Sequence, residues 1–100
     1  MKPVITHPEA EEEYLQATET YEQKRPGLGR QFYEEIKKLI TEIQKTPSTF
    51  RRFKGRYRRN FKNPFPYAVI YEEKPEYIHI IAIAHMHRRP NYWMDRTTSE

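Results

Sequence analysis

Two β-rich segments, Phe65-Pro66-Tyr67-Ala68-Val69-Ile70-Tyr71 and Tyr77 to Ala84, run directly into His85-Met86-His87-Arg88-Arg89-Pro90-Asn91-Tyr92-Trp93. Between the segments lies Glu72-Glu73-Lys74-Pro75-Glu76, a charged hairpin loop. Alternation along the second segment puts Ile78, Ile80, Ala82 and Ala84 on one face and Ile81 and Ile83 on the other, so both faces are at least partly buried and the strand belongs mid-sheet. Strands of this kind form a rigid floor, and the imidazoles, guanidiniums and rings that follow project from its end.

Working back from that floor, Asn63-Pro64-Phe65-Pro66 is a rigid turn. Before it, Phe50 to Lys62 carries 7 Lys/Arg and no acid. Read as one strand, it sets Tyr57, Arg59 and Phe61 on one face and Arg56, Arg58 and Asn60 on the other. A row of guanidiniums along a sheet is either an edge strand protected against aggregation or a surface for phosphate, with the interleaved rings offered for stacking.

Further upstream the pattern turns helical. Leu28, Phe32, Ile36, Leu39, Ile40 and Ile43 make a broad apolar face over Leu28 to Lys45, closed by Thr46-Pro47. Arg25-Pro26-Gly27-Leu28-Gly29 separates this helix from an earlier one and is no phosphate loop, because no strand precedes it and no Lys-Ser/Thr follows. The earlier helix opens at Thr6-His7-Pro8-Glu9, a capping-box pattern with the Thr6 hydroxyl as N-cap. It has one apolar stripe, Ala10, Tyr14, Ala17 and Tyr21. Glu9, Glu11, Glu12 and Glu13 read as solvated charges matched to the helix dipole. Lys2 to Ile5 reads as a first strand. The short break predicts an antiparallel helix hairpin with both stripes on the sheet.

The whole chain, residues 1–100, is expected to form one domain with a single core. It has no cysteine, which excludes disulfides and thiolate metal sites. The start lacks a signal-peptide run and no stretch approaches ~18 consecutive apolar residues, so a soluble cytoplasmic protein with no membrane partner is expected. Residues 1–50 carry 7 Lys/Arg against 9 Asp/Glu and residues 51–100 carry 11 against 5, so the net charge of +4 hides one half of −2 and another of +6. The second half attracts anions, whether phosphate backbones or an acidic protein.

His85 and His87 could reach one ion, but zinc needs three or four ligands and no other is placed to complete the set, so no metal or other cofactor is expected. His85 reads as a strand-end histidine bonded to backbone. His87, beside Arg88 and Arg89, has the stronger functional case, as a neutral imidazole able to accept a proton. Trp93 is expected to anchor the tail onto the core, on a short closing helix reaching Arg96, while Tyr92 is balanced between packing and stacking. No Ser-His-Asp arrangement, carboxylate pair or nucleotide loop is present. The chemistry left open is metal-free phosphoryl transfer on RNA, in which a base takes the 2′-hydroxyl proton and cations hold the phosphate.

The Phe65-Pro66-Tyr67 strand with Tyr71 four residues on, and the His87-Arg88-Arg89-Pro90-Asn91-Tyr92-Trp93-Met94-Asp95-Arg96 tail, resemble the RelE/ParE superfamily of toxins from type II toxin-antitoxin systems, including members labelled plasmid stabilisation proteins. The resemblance covers nearly the whole chain. It implies an α+β fold, with an N-terminal two-helix hairpin on a three- to four-stranded, mainly antiparallel sheet and a short C-terminal helix or tail. It also implies neutralisation by an acidic antitoxin. RelE-like members cut mRNA on the ribosome. For that role the resemblance assigns His87 as base, Arg58 and Arg88 to the phosphate and Tyr92 to stacking or proton donation. Arg51, Arg52, Lys54, Arg56, Arg59, Lys62, His85, Arg89 and Arg96 would then bind nucleic acid or partner. ParE-like members instead inhibit DNA gyrase without chemistry. A nontoxic basic binding module is the third alternative.

Overall fold

A computed structural model of the protein describes residues 1–97, so the last three residues of the expected 1–100 domain lie outside it. The fold is α+β. In chain order the elements are β1 (Val4–Thr6), α1 (Pro8–Lys24), α2 (Leu28–Lys45), β2 (Arg52–Lys54), β3 (Tyr57–Phe61), β4 (Tyr67–Glu73), β5 (Ile78–His85) and a 3₁₀ turn at Met94–Thr97. The five strands form one sheet in the order β1-β5-β4-β3-β2, with β1 parallel to β5 and every other pair antiparallel.

The expected three to four strands become five because the basic stretch from Phe50 to Lys62 is two strands and not one. Its turn falls at Gly55, whose φ of 55° is open to glycine without the Cβ clash other residues meet, and β2 folds back on β3 with Arg52 opposite Arg58.

The helix hairpin forms as its stripes predict. Ala10 and Ala17 of α1 and Phe32, Ile36, Leu39 and Ile43 of α2 are buried against Val69, Tyr71, Ile78, Ile80 and Ile83. The helices can approach closely at Gly29, where an added Cβ would stand 2.6 Å from the Thr18 carbonyl oxygen and 2.7 Å from Glu22 Cβ. The Glu22 carboxylate accepts hydrogen bonds from the Gly27 and Gly29 amides, so α1 satisfies the orphan donors at the start of α2. The cap of α1 differs from expectation. Thr6 ends β1, the His7 amide donates to the Ile80 carbonyl, and the His7 imidazole Nδ1, not the Thr6 hydroxyl, accepts from the Glu9 amide at 3.1 Å.

The largest departure lies inside β5. Tyr71 pairs with Ile80 and Ile70 with Ala82, leaving Ile81 as an extra residue. This β-bulge reverses the alternation. Ile78, Ile80 and Ile83 face the helices, while Ile81, Ala82 and Ala84 face the opposite side with Tyr57, Ala68, Ile70 and Trp93. The sheet therefore has two cores, one under the helices and a smaller one under the tail.

Candidate functional site: the tail-covered face

The tail is bound to the sheet by Trp93, which is buried with its ring edge-on to Tyr57 at 4.8 Å between centroids and 5.9 Å from Phe53. The Tyr57 hydroxyl and the Thr97 hydroxyl are hydrogen-bonded to each other, pinning the 3₁₀ turn. Trp93 thus anchors the tail, as its position after Pro90 suggested.

A second attachment was not expected. Glu13, on α1, accepts at Oε1 from the Ile83 amide (3.0 Å) and Arg96 Nη1 (3.0 Å), and at Oε2 from the Tyr92 hydroxyl (2.6 Å) and Arg96 Nη2 (2.8 Å). Arg96 Nη1 also donates to the Ile81 carbonyl at 3.0 Å. These contacts have a backbone cause. β1 pairs with β5 only as far as Ile80, and beyond it the exposed edge of β5 is satisfied by one carboxylate and one guanidinium in place of a strand. The side chains of Glu13 and Arg96 are 14% and 7% exposed, so the forked pair is largely desolvated and both partners depend on it. Burial, and then the bond to Glu13, push the Tyr92 phenol well above its ordinary value.

The reading of Glu9, Glu11, Glu12 and Glu13 as solvated charges is therefore corrected for Glu13. The signal was its spacing, three residues after Ala10 and four before Ala17, which sets a carboxylate on the buried stripe. Arg96, expected to bind nucleic acid or partner, has its side chain sealed in this pair and is not offered to the surface.

The remaining candidates divide between faces. Arg58 lies opposite Tyr71 on the helix side, and its Nη1 donates to the Phe50 carbonyl at 2.7 Å. Tyr67, not Tyr71, lies opposite His85, so Arg58 stands four strand residues, about 13 Å, from the start of the tail and on the other side of the sheet from Arg59. His85 and His87 remain together, ring centroids 5.3 Å apart, and the His87 amide donates to His85 Nδ1 at 3.1 Å. This bears out the backbone bond expected of His85. Among the described residues no group of three or more His, Asp or Glu is placed to hold a metal ion.

Arg56 pairs with Glu72 at 2.7 Å. Arg51, Arg52, Lys54 and Lys62 are exposed on the β2–β3 side. Arg59, Arg88, Arg89 and Tyr92 come together around a cleft of about 230 Å³ floored by Ala68, Ile70 and Ala84. The Arg88 guanidinium lies over the Tyr92 ring at 3.9 Å and that of Arg59 over the Phe53 ring at 4.5 Å. Tyr92, held by Glu13, thereby supports Arg88 at the rim.

Comparison with known families adds the decisive observation: a family model described as the ParE toxin of the type II toxin-antitoxin system parDE matches residues 4–90. The chain belongs to the ParE toxin family. No curated protein matches it. In this ParE-family chain the match ends at Pro90, so Glu13 lies inside the matched region while Tyr92 and Arg96 lie beyond it. Membership makes an antitoxin the expected partner. No helix among the described residues is long and apolar enough to cross a membrane.

Proposed function

We propose that the protein is a toxin that acts by binding and performs no chemistry, with DNA gyrase as its target and an acidic antitoxin as its restraint. The observation that carries this reading is that two of the four groups a nuclease would need, Tyr92 and Arg58, are committed to internal hydrogen bonds. A phenol that donates to a carboxylate at 2.6 Å, and whose ionisation is opposed by burial, neither stacks freely on a base nor readily exchanges protons with substrate. Arg58 is bonded to a backbone carbonyl on the helix side, away from the Arg88 rim. An in-line attack on RNA requires base, phosphate clamp and acid within reach of one phosphodiester, and Arg58, half of the expected phosphate clamp, lies across the sheet from Arg88 and Tyr92. Membership of the ParE toxin family supports the same reading.

The test is a paired assay on the purified protein. Supercoiling by gyrase is expected to be inhibited while mRNA on programmed ribosomes stays intact. Cleaved mRNA with unaffected supercoiling would instead return the protein to the RelE-like reading. If induced expression without antitoxin leaves growth unaffected, the nontoxic binding module is the better account.

A further inference from the structure

We infer that the sheet edge formed by β2 and the end of β3 is a binding surface for the phosphodiester backbone of duplex DNA, held without regard to base sequence. The cationic edge stands apart from the gyrase reading. The choice of DNA over other phosphate polymers rests on that reading, since gyrase works on duplex DNA.

From Phe50 to Tyr71 the chain contains no Asp or Glu. Three of the basic side chains there have internal partners: Arg56 has Glu72, Arg58 the Phe50 carbonyl and Arg59 the Phe53 ring. The other four, Arg51, Arg52, Lys54 and Lys62, are exposed and form no ion pair or side-chain hydrogen bond with any described residue. β2 is the outermost strand. Arg52 and Lys54 flank the half-buried Phe53 on it, Arg51 precedes it, and Lys62 follows β3. Because Lys54 lies beside Tyr57, the four cations cover five strand residues of edge, about 17 Å, or half of the ~34 Å of one duplex turn. Such a row releases the counterions condensed on the phosphates, and that release drives association. Protection of an edge against aggregation accounts for charge on β2 itself. It does not account for Arg51 and Lys62, which lie outside the paired residues.

Two other partners fit less well. A single strand is gripped through bare ring faces, and here the Arg59 guanidinium stands over Phe53 at 4.5 Å and Phe61 at 5.4 Å while Trp93 is buried. An acidic protein would need a bulky apolar anchor at the centre of the patch, and protein interfaces are poor in Lys. The central ring, Phe53, is half-buried beneath that guanidinium.

The probe is a fluorescein-labelled DNA duplex of two helical turns, about 20 base pairs, titrated with the full-length protein and read by anisotropy. Saturable binding is expected, indifferent to sequence, with log affinity falling against log salt at a slope of about −3 to −4 for four engaged phosphates. The double variant Arg52→Gln, Lys54→Gln, which alters two exposed side chains, should bind about tenfold more weakly or worse and make the slope shallower by about 2. Arg51→Gln, Lys62→Gln supplies a second pair should the first misfold. Lys24→Gln, Lys37→Gln, which removes the same charge from the exposed surface of the helix hairpin, should change affinity by less than about twofold. No saturable binding, or equal loss in the edge and hairpin variants, would overturn the proposal. So would tighter binding of an oligothymidylate of the same length or of an RNA duplex of the same sequence, or displacement of the DNA by polyglutamate at equal concentration of charge. Duplex binding as expected with no effect on supercoiling overturns the gyrase reading alone. Gyrase inhibition with no duplex binding overturns this surface alone.

Discussion

The two faces of this sheet are built from the same strands and end in opposite states. On the helix side, large side chains fill the space, with Phe32, Ile36, Ile43, Tyr71 and Ile83 at 1% exposure or less, and polar groups there are satisfied internally. Asn60 donates to the Leu39 carbonyl and Tyr71 to the Pro47 carbonyl, the latter with its phenol pushed by burial up to about 12. On the tail side, the small side chains of Ala68 and Ala84 floor a cleft of about 230 Å³ rimmed by Arg59, Arg88 and Arg89, of which Arg88 has Glu13 at 3.6 Å. One inserted residue, Ile81, makes the difference, because it turns β5 over halfway along. One sheet thus carries a large close-packed core on one face and a smaller core with a cationic rim on the other.

The comparison is broken most severely from the helix side. Phe32→Ala should cost about 3–5 kcal/mol of stability in equilibrium denaturation, because a fully buried ring leaves a cavity that its neighbours only partly fill. A loss under about 1 kcal/mol would mean that this face is as yielding as the other. Next comes the join between the faces. Glu13→Ala strands the Arg96 guanidinium, the Tyr92 hydroxyl and the Ile83 amide together, and about 3 kcal/mol should be lost. Amide exchange should accelerate at Ile83 and in the Met94–Thr97 turn before it does in β4. Gly29→Ala forces a Cβ against the Thr18 carbonyl and should cost about 1–3 kcal/mol. Ala84→Val, into the cleft, should shift stability by less than about 1 kcal/mol, and a larger loss would show the tail side to be as tightly filled as the core.

Titration sharpens the same contrast. Tyr71 ionises at about 12 in the folded chain and near 10 unfolded. Its contribution is therefore fully present below pH 10 and is lost as pH rises towards 12. Tyr71→Phe should flatten that alkaline limb even though it forfeits the bond to Pro47. Glu73 works in the opposite direction, its carboxyl held below the ordinary range by hydrogen bonds from Lys2 and Ser48. It stabilises above the unfolded carboxylate range, and this is lost as pH falls through the lowered folded value. Glu73→Gln should remove a small part of the acid limb, the least of these effects.

The helices were legible because their apolar residues recur at helical spacing and their ends carry proline and glycine. The bulge was not, since every position from Ile78 to Ala84 except His79 is apolar and such a run has no polar member to mark which face it has turned to. The split of the basic stretch could have been suspected from Gly55, the one residue there suited to a positive φ. Parallel pairing of β1 depends on a partner more than 70 residues away, which local pattern does not encode. At the site, Trp93 was legible as an anchor from its size and place. The carbonyl bond of Arg58 and the carboxylate fork of Arg96 were not legible, because a guanidinium looks the same in sequence whether it meets solvent, a carbonyl or a carboxylate.

The central claim is that the protein acts by binding, with Arg58 and Tyr92 of the nuclease-like set held in structural contacts. Supercoiling by purified gyrase, measured with the unaltered protein and with an Arg58→Gln, His87→Ala double variant shown by circular dichroism to be folded, tests it most directly. Equal inhibition by the two proteins is the predicted result. Failure of either to inhibit gyrase, together with ribosomal mRNA cleavage that the double variant abolishes, would contradict it.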